Sequence, residues 1–360
     1  MSARTQQTSD FFELNQYVRS EIDSYLADFF DQKQLYAKKL DPRVRQLVQN
    51  VEQVVRRGGK RLRPTLALVG YEAVGGQERQ YAVRAAVALE LLHAFMLVHD
   101  DIMDQDLVRH GGKNLGGIYR RRFAKKLGEH EAAHMADSLA LLGGDLLLNW
   151  VFEVLADLVE PTRLPNVIKL ITQATFDTAA GQQMDVMSSL LEETTSKQAL
   201  KVPYYKTGLY SFVNPLQFGA VLAGEQPQAV FRDYGANLGV AFQLIDDDLG
   251  MFGSSRQTGK PVQSDLEENK ATLLKYYGFR LASAGDRQKL KQLFGKKGLT
   301  IQEVKLARII LTDCGARAKN LVIAQSYGDK AVKALQQYSI DSQANARLID
   351  LVNFCLKRNH

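Results

Sequence analysis

Long stretches of the chain place apolar residues three and four positions apart, which is the spacing of one face of an α-helix. Alternation of β-branched residues is scarce, and the sequence contains only eight prolines. We therefore predict an all-α fold. Helices are expected over residues 10–30, 41–57, 81–106, 135–158, 165–190, 200–224 and 229–250, with amphipathic helices over 280–356. Asp41 is the expected N-cap of the second helix, and Pro42 its first residue.

No linker or low-complexity stretch divides the sequence. We therefore expect a single domain over residues 1–360, with residues 1–40 forming an N-terminal packing helix region.

The composition is that of a globular protein, with 45% hydrophobic and 24% charged residues in 360. A net charge of +6 is a poor indication of nucleic-acid binding but suits small anionic substrates. Cys314 and Cys355 have no closely spaced partners, which favours a reducing compartment. The N-terminal segment lacks the apolar core of a signal peptide, and the longest apolar run, 139–155, is interrupted by polar residues. We expect a cytoplasmic protein that does not insert stably into a membrane.

The predicted helix over 81–106 is mostly apolar but ends in four carboxylates, at Asp100, Asp101, Asp104 and Asp106. Such a cluster is costly to fold, because carboxylates repel one another and resist desolvation. Asp100 and Asp104 are four residues apart, so they share a helix face and can hold one cation. Hard oxygen ligands favour Mg²⁺, which completes its shell with water and phosphate oxygens.

The predicted helix over 229–250 repeats this design and ends in Asp246, Asp247 and Asp248. Gln243 lies three and four residues before the first two of these, so the three side chains line one face. Two facing carboxylate sets in a helical bundle would hold several Mg²⁺ ions that neutralise a diphosphate. Apolar walls below them would bind a hydrocarbon. The pattern predicts a prenyl diphosphate as ligand.

Further polar positions are open to two interpretations. The segment GGKRLRP at 58–64 is either a phosphate-binding loop or a helix end followed by solvated charge. Gln182 and Asp185 lie in a largely apolar segment, which indicates either a site or satisfied core groups. Residues 130–134, HEAAH, match the HExxH pattern of zinc proteases, with Glu153 as a possible later ligand.

Seven motifs together resemble those of the trans-prenyl diphosphate synthases, or polyprenyl synthetases, and most closely the short-chain geranylgeranyl and farnesyl enzymes. In order they are GGKRLRP, HAFMLVHDDIMD, GDLLL, GQQMD, KT, FQLIDD and TGK, and they span roughly residues 50–275. The resemblance implies a helical bundle of the isoprenoid synthase type with a central active-site cavity. It also implies a homodimer and three Mg²⁺ ions.

The resemblance assigns roles residue by residue. The implied metal ligands are Asp100, Asp101, Asp104, Asp185, Asp246 and Asp247. The implied allylic diphosphate ligands are Arg109, Lys206, Thr207, Gln243 and Lys260. Lys270 is a further implied substrate-binding residue. The implied isopentenyl diphosphate ligands are Lys60, Arg63, His93 and His110. The implied catalytic set is Asp100, Asp104, Lys206, Asp246 and Lys260.

Two positions depart from the family pattern. His110 replaces the second of two arginines that usually follow the first aspartate motif, which predicts a pH-sensitive isopentenyl diphosphate site. Gly250 replaces the last aspartate of the second motif, which leaves the outer metal shell less defined.

The implied reaction condenses isopentenyl diphosphate with dimethylallyl, geranyl or farnesyl diphosphate. Phe95 and Met96, one turn before Asp100, are expected to limit chain length and to favour geranylgeranyl diphosphate over the C15 and C25 products. Three other classes are open: a class I terpene cyclase, a non-catalytic partner subunit and a zinc protease. A cyclase would not need GGKRLRP and His93, and a non-catalytic subunit would be expected to have lost aspartates or Lys60.

Overall fold

The computed structural model describes residues 10–188, 190, 195–253 and 264–357. Apart from one two-stranded hairpin, the regular structure within these residues is helical, which confirms the all-α prediction. Contacts divide the chain into two compact units. The first comprises residues up to Lys169 together with Phe218–Gln226, and the second comprises Leu170–Gln217 and Pro227 onward. The single domain over 1–360 stays a prediction.

The helices up to the unit boundary are α1 (Asp10–Leu40), α2 (Pro42–Arg57), α3 (Leu62–Ala73), α4 (Arg79–Ala85), α5 (Val87–Met103), α6 (Leu115–Leu127) and α7 (Glu129–Leu158). The strands β1 (Val108–Arg109) and β2 (Gly112–Lys113) pair antiparallel between α5 and α6. Asp41 caps α2 by accepting a hydrogen bond from the Arg43 amide, and Pro42 is its first residue, as predicted. Helix α1 continues ten residues past its predicted end at residue 30.

The remaining helices are α8 (Leu164–Ser188), α9 (Ser196–Val202), a π-helix (Pro203–Val213), α10 (Asn214–Leu222), α11 (Ala229–Phe252), α12 (Ser264–Glu267), α13 (Leu273–Leu281), α14 (Ala284–Leu293), α15 (Ile301–Asp313), α16 (Ala316–Gln336) and α17 (Ser342–Lys357). In the second unit, α11 packs on the π-helix and on α16. A Cβ added at Gly239 of α11 would lie 2.1 Å from the Gly208 Cα of the π-helix, so the two backbones meet there without side chains between them.

The helix predicted over 81–106 is two helices, and this prediction was wrong in both its continuity and its end. The helix is interrupted by a tighter, 3₁₀-type turn at Ala86. The Ala86 carbonyl accepts a hydrogen bond from the Leu89 amide, three residues later, at 3.0 Å. Helix α5 ends at Met103 in a Schellman motif. Gln105 adopts a left-handed conformation (φ 57°), and the Asp106 amide bonds the Asp101 carbonyl at 2.9 Å.

Two segments, Arg79–Met103 and Glu129–Leu158, are long and apolar enough by composition to cross a membrane. The most apolar window of the first is 72% buried, as in the core helix of a globular protein. The corresponding window of α7 is only 44% buried, so much of this apolar helix is left uncovered.

Candidate active site

The first carboxylate set occupies the last turn of α5. A helix C-terminus carries a partial negative charge, which disfavours further anions there. Arg109, from the hairpin that follows, compensates part of this charge. Its guanidinium lies 2.5 Å from the Asp101 carboxylate, 3.4 Å from that of Asp100 and 3.8 Å from that of Asp106.

Asp101 is the buried member of this set, with 6% of its surface exposed. Desolvation raises its pKa, an effect that Arg109 opposes by charge and by a hydrogen bond. Asp101 is therefore paired with Arg109, whereas Asp100, Asp104 and Asp106 are partly exposed.

These residues suit a Mg²⁺ ion. In the part of the chain that the structure describes, no three His, Cys, Asp or Glu side chains form a metal-binding cluster. Mg²⁺ does not need such a cluster, because it usually takes one or two carboxylates and retains water or phosphate ligands. Asp100 and Asp104 offer such a pair, at a helix end where one arginine does not balance the negative charge.

A positively charged pocket lies beside this set in the first unit. It is lined in part by His93, Arg109, His110, Arg57 and Asn114. Burial lowers the pKa of His93 well below its ordinary value, and the nearby charges of Arg63 and Arg109 lower it further. The imidazole is therefore neutral near pH 7, and the arginines supply the positive charge of the pocket.

The basic residues that lead into α3 have two different roles. Arg61 has a left-handed backbone (φ 48°) and turns inward, where its guanidinium lies 2.6 Å from the Glu90 carboxylate and 2.8 Å from that of Asp23. Arg61 is only 4% exposed. Lys60 is exposed instead, and its carbonyl accepts a hydrogen bond from the Asn15 amide at 2.8 Å. Of the three cations in the segment, Lys60 and Arg63 fit the predicted phosphate-binding role, whereas Arg61 fixes the loop.

Replacing Arg61 by Met is expected to lower the free energy of unfolding by about 3 kcal/mol, because it leaves the buried Glu90 carboxylate unpaired. Urea denaturation measures the change. Adding Glu90→Leu should recover part of the loss, since no unpaired charge then stays buried. Lys60→Met is the neighbouring control and should change stability by less than about 0.5 kcal/mol. Equal effects at Arg61 and Lys60 would contradict the buried ion pair.

The second carboxylate set lies near the end of α11 in the second unit. The Gln243 side chain donates to the Asp247 carboxylate at 2.8 Å and accepts from the Thr207 hydroxyl at 2.7 Å. Asp246 is exposed. The predicted face of Gln243, Asp246 and Asp247 is therefore linked to the π-helix by a chain of hydrogen bonds.

Lys206 and Asp185 form a second contact in the same unit. The Lys206 ammonium lies 2.8 Å from the Asp185 carboxylate. One turn earlier on α8, both polar atoms of the Gln182 side chain are buried and have no hydrogen-bond partner among the described residues. A buried, unpaired amide costs about 1–3 kcal/mol, which indicates that a polar ligand or water belongs there. This observation favours a site over a satisfied core role for GQQMD.

The third aspartate of α11 has a different role. Asp248 is 1% exposed, and its carboxylate oxygens accept from the Arg317 guanidinium at 2.9 and 3.0 Å. Arg317 also lies 4.1 Å from the centre of the Phe252 ring. Arg308 donates to the carbonyls of Met251 and Gly253 at the end of the helix. Asp248 is thus a structural residue. The accessible carboxylates of the second set are those of Asp246 and Asp247.

A profile of the polyprenyl synthetase family matches residues 44–310. The chain belongs to the polyprenyl synthetase family. It is 31% identical to a geranylgeranyl diphosphate synthase of Sulfolobus acidocaldarius, over 84% of this chain and 87% of that one. It is 30% identical to a geranylfarnesyl diphosphate synthase of Aeropyrum pernix, over 85% of this chain and 92% of that one.

A crystal structure of geranylgeranyl pyrophosphate synthase from Corynebacterium glutamicum is similar to the fold, with a TM-score of 0.89 and 26% identity. The match covers 97% of this chain and all of that one, whose crystals contain isoprenyl diphosphate and magnesium. The fold is therefore that of the isoprenoid synthases, and the protein is a trans-prenyltransferase. Relatives of nearly equal identity are named for products of different length, so the family does not fix the product.

Within this synthetase, the structure places the remaining predicted residues as follows. Phe95 is buried and Met96 partly exposed on α5, and Met96 lies one turn before Asp100 on the same face. Lys270 lies 2.6 Å from the Glu268 carboxylate in the second unit. Lys260 lies outside the described residues, and its diphosphate-binding role stays a prediction.

The zinc-protease pattern has no support in the geometry. HEAAH forms the first turn of α7, where the His130 side chain is 95% and that of Glu131 70% exposed. Glu153 is bonded to Lys33 and lies about 35 Å along the helix from His130. It therefore cannot complete a zinc site with these histidines.

Sequence reasoning missed Arg57, Arg308 and Arg317. The Arg57 guanidinium lines the cationic pocket and bonds the Lys113 carbonyl at 2.7 Å. Its position directly before Gly58 could have indicated a role in the loop. The arginines at 308 and 317 act on α11 across a long sequence separation and lie in no local motif.

Proposed function

We propose that this prenyltransferase condenses isopentenyl diphosphate with dimethylallyl, geranyl or farnesyl diphosphate and releases geranylgeranyl diphosphate. Three Mg²⁺ ions take part. In the first unit, Asp100 and Asp104 bind metal, with Asp101 and Arg109 in support. In the second unit, Asp246 and Asp247 bind metal, assisted by Asp185.

The observation that supports this best is the pair of carboxylate sets at the ends of two apolar helices, each with its own cations. Arg109 contacts three carboxylates of the first set. Lys206 contacts Asp185 in the second unit, close to the Gln182 amide, which has no hydrogen-bond partner within the part of the chain that the structure describes. When bound, Mg²⁺ would neutralise the allylic diphosphate and make it a leaving group. Lys206, Thr207 and Gln243 supply the diphosphate contacts of the second unit.

The cationic pocket of the first unit suits isopentenyl diphosphate. Arg57, Arg109 and His110 line it, and Lys60 and Arg63 of the adjoining basic segment are proposed to join them at the diphosphate. The neutral His93 can donate a hydrogen bond to a phosphate oxygen. After the carbon–carbon bond forms, a proton must leave the product cation. The lowered pKa of His93 makes it a weak base, so the departing diphosphate is the acceptor we favour. Apolar walls protect the cation from water.

Product length is proposed to be set at Phe95 and Met96, one turn before the first metal ligands. Replacing Phe95 by Ala removes a buried ring and should shift the product from C20 to C25 and longer. Chromatography of the dephosphorylated products measures the distribution. An unchanged distribution would rule out this residue as the limit, and a C15 or C25 product from the wild type would replace the C20 assignment.

His110 is expected to make isopentenyl diphosphate binding pH-dependent. Desolvation, followed by the charge of Arg109, lowers its pKa below the ordinary value of 6.5, so it is neutral at pH 8 and gains charge as the pH falls. The cationic form attracts diphosphate. KM for isopentenyl diphosphate should therefore fall between pH 8 and pH 6 in the wild type.

His110→Arg carries a fixed charge and is the matched comparison. It should lower KM for isopentenyl diphosphate at pH 8 and make KM less dependent on pH. Titration of the substrate affects both proteins equally, so the difference between them reports on His110. A wild-type KM that changes with pH no more than that of the variant would contradict the role of His110.

We also propose that the enzyme is a homodimer that uses α7. Exposed apolar residues on this helix include Met135, Leu141 and Leu142, of which the last two are 48% and 51% exposed. Sedimentation should give twice the 40.3 kDa mass of the chain. The double variant Leu141→Glu, Leu142→Glu should shift it towards monomer. A monomeric wild type at micromolar concentration would overturn this proposal.

A cytoplasmic location is likewise a proposal, supported by the two free cysteines, Cys314 and Cys355. Fractionation of the source cells with an antibody tests it. Recovery of the protein in the membrane fraction after a high-salt wash would contradict it.

A further inference from the structure

Phe95 does not stand alone on α5. His99 lies four residues later, and the two ring centres are 4.6 Å apart with planes inclined by 62°. A long side chain in a helix covers the turn on the N-terminal side of its own Cα, so the His99 ring is directed over Phe95. Edge contacts of this kind between aromatic rings are favourable. His99 therefore occupies space next to Phe95 that the Phe95 ring would otherwise be able to enter.

His99 is itself held from behind by α7. A Cβ added at Gly144 would lie 2.3 Å from the His99 Nε2 and 2.5 Å from its Cδ2. The imidazole thus rests on the backbone of α7, at a position that only glycine leaves open. Helices α5 and α7 pack against each other along this contact.

Packing, and not hydrogen bonding, determines where this imidazole lies. Its Nε2 is buried and has no hydrogen-bond partner among the described residues. The nearest carboxylate oxygen, on Asp145, is 4.0 Å away. A ring fixed by shape between a helix backbone and a second ring acts as a wedge.

We propose that His99, seated on Gly144, is a positioning residue for product length, because it holds the Phe95 ring in the orientation that stops chain growth. This rests on the proposed function, in which Phe95 limits the product. With the wedge in place, Phe95 cannot turn towards α7, and elongation ends at C20. Without it, the ring swings aside and a further isopentenyl unit is added.

Product distributions of variants test this, with farnesyl diphosphate, isopentenyl diphosphate and Mg²⁺ as substrates. His99→Ala should raise the ratio of C25 to C20 product about two- to tenfold, the range expected from loss of one aromatic contact. His99→Phe keeps the ring contact and should retain the wild-type ratio. Gly144→Ala displaces the imidazole and should lengthen the product without altering His99 itself. Asp145→Asn removes only a nearby charge and should leave the ratio unchanged.

The double variant Phe95→Ala, His99→Ala separates action through Phe95 from an independent effect. If His99 acts through Phe95, the double variant should match Phe95→Ala alone. An additive increase would overturn the proposal, as would an unchanged ratio in both His99→Ala and Gly144→Ala while Phe95→Ala lengthens the product. If Phe95→Ala itself makes only C20, the length limit and the wedge both fail. If the wild type makes no prenyl diphosphate, the proposed function fails first, and thermal melting shows whether the variants are folded.

Discussion

Replacing Asp100 or Asp104 by Asn should lower kcat by about a thousandfold or more, because several kcal/mol of charge stabilisation at the leaving diphosphate is lost. Both side chains lie at the C-terminal end of α5, where the helix and neighbouring carboxylates disfavour a negative charge. The same substitutions should therefore leave stability unchanged or raise it by about 0.3–1 kcal/mol. Loss of activity with retained or increased stability is the signature of a site whose charges serve catalysis.

The matched control is Asp313→Asn, an exposed aspartate at the C-terminal end of α15. It should have a similar small effect on stability and none on turnover. Initial rates at saturating substrate and thermal melting give the two quantities. A kcat for Asp100→Asn within tenfold of the wild type would contradict metal binding at this set.

Asp246 and Asp248 should respond in opposite ways, although they are two residues apart. Asp246 is exposed, and Asp246→Asn should reduce kcat by about a thousandfold without loss of stability. Asp248 is buried, and Asp248→Asn removes its charged hydrogen bonds with Arg317. Because the Arg317 side chain is 37% exposed and can stay solvated, the cost should be about 1.5–3 kcal/mol of folding free energy. The Mg²⁺ concentration for half-maximal rate should rise only for Asp246→Asn.

Arg317→Met supplies the reciprocal test of the buried pair. It leaves the buried Asp248 carboxylate without its bidentate partner and should lower stability by about 3 kcal/mol or more, at least as much as Asp248→Asn. Urea denaturation of the four proteins, wild type included, compares the effects. Similar activity loss at positions 246 and 248, with no difference in stability, would show that both aspartates bind metal.

Helix periodicity and capping were sufficient to predict the fold class. Asp41 and Pro42 start α2 because capping is a local interaction, so residues 41–43 contain all the information required. The break at Ala86 could not be predicted, because a 3₁₀-type turn within a run of good helix formers requires no glycine, proline or other residue that a sequence would show. The end of α5 was placed three residues late, since Gln105, and not a glycine, takes the left-handed position of the Schellman motif.

The sequence predicted the accessible residues of the candidate site. It did not predict the buried ion pairs that hold these residues in place. The aspartates of both helices follow from spacing, and the structure joins Gln243 to Thr207 and Lys206 to Asp185 within the second unit. Sequence spacing could not show that Arg61 turns inward, because its partners, Asp23 and Glu90, are 38 and 29 residues away. Asp248 similarly depends on an arginine 69 residues later.

The most direct test of the central claim is incorporation of radiolabelled isopentenyl diphosphate with Mg²⁺ and dimethylallyl, geranyl or farnesyl diphosphate in turn. Products are dephosphorylated and sized by chromatography, with a chelator in place of Mg²⁺ as the blank. We predict Mg²⁺-dependent incorporation with each allylic substrate and accumulation of a C20 alcohol. The absence of label in any prenyl product, or an unlabelled cyclised hydrocarbon formed from the allylic substrate alone, would contradict the account.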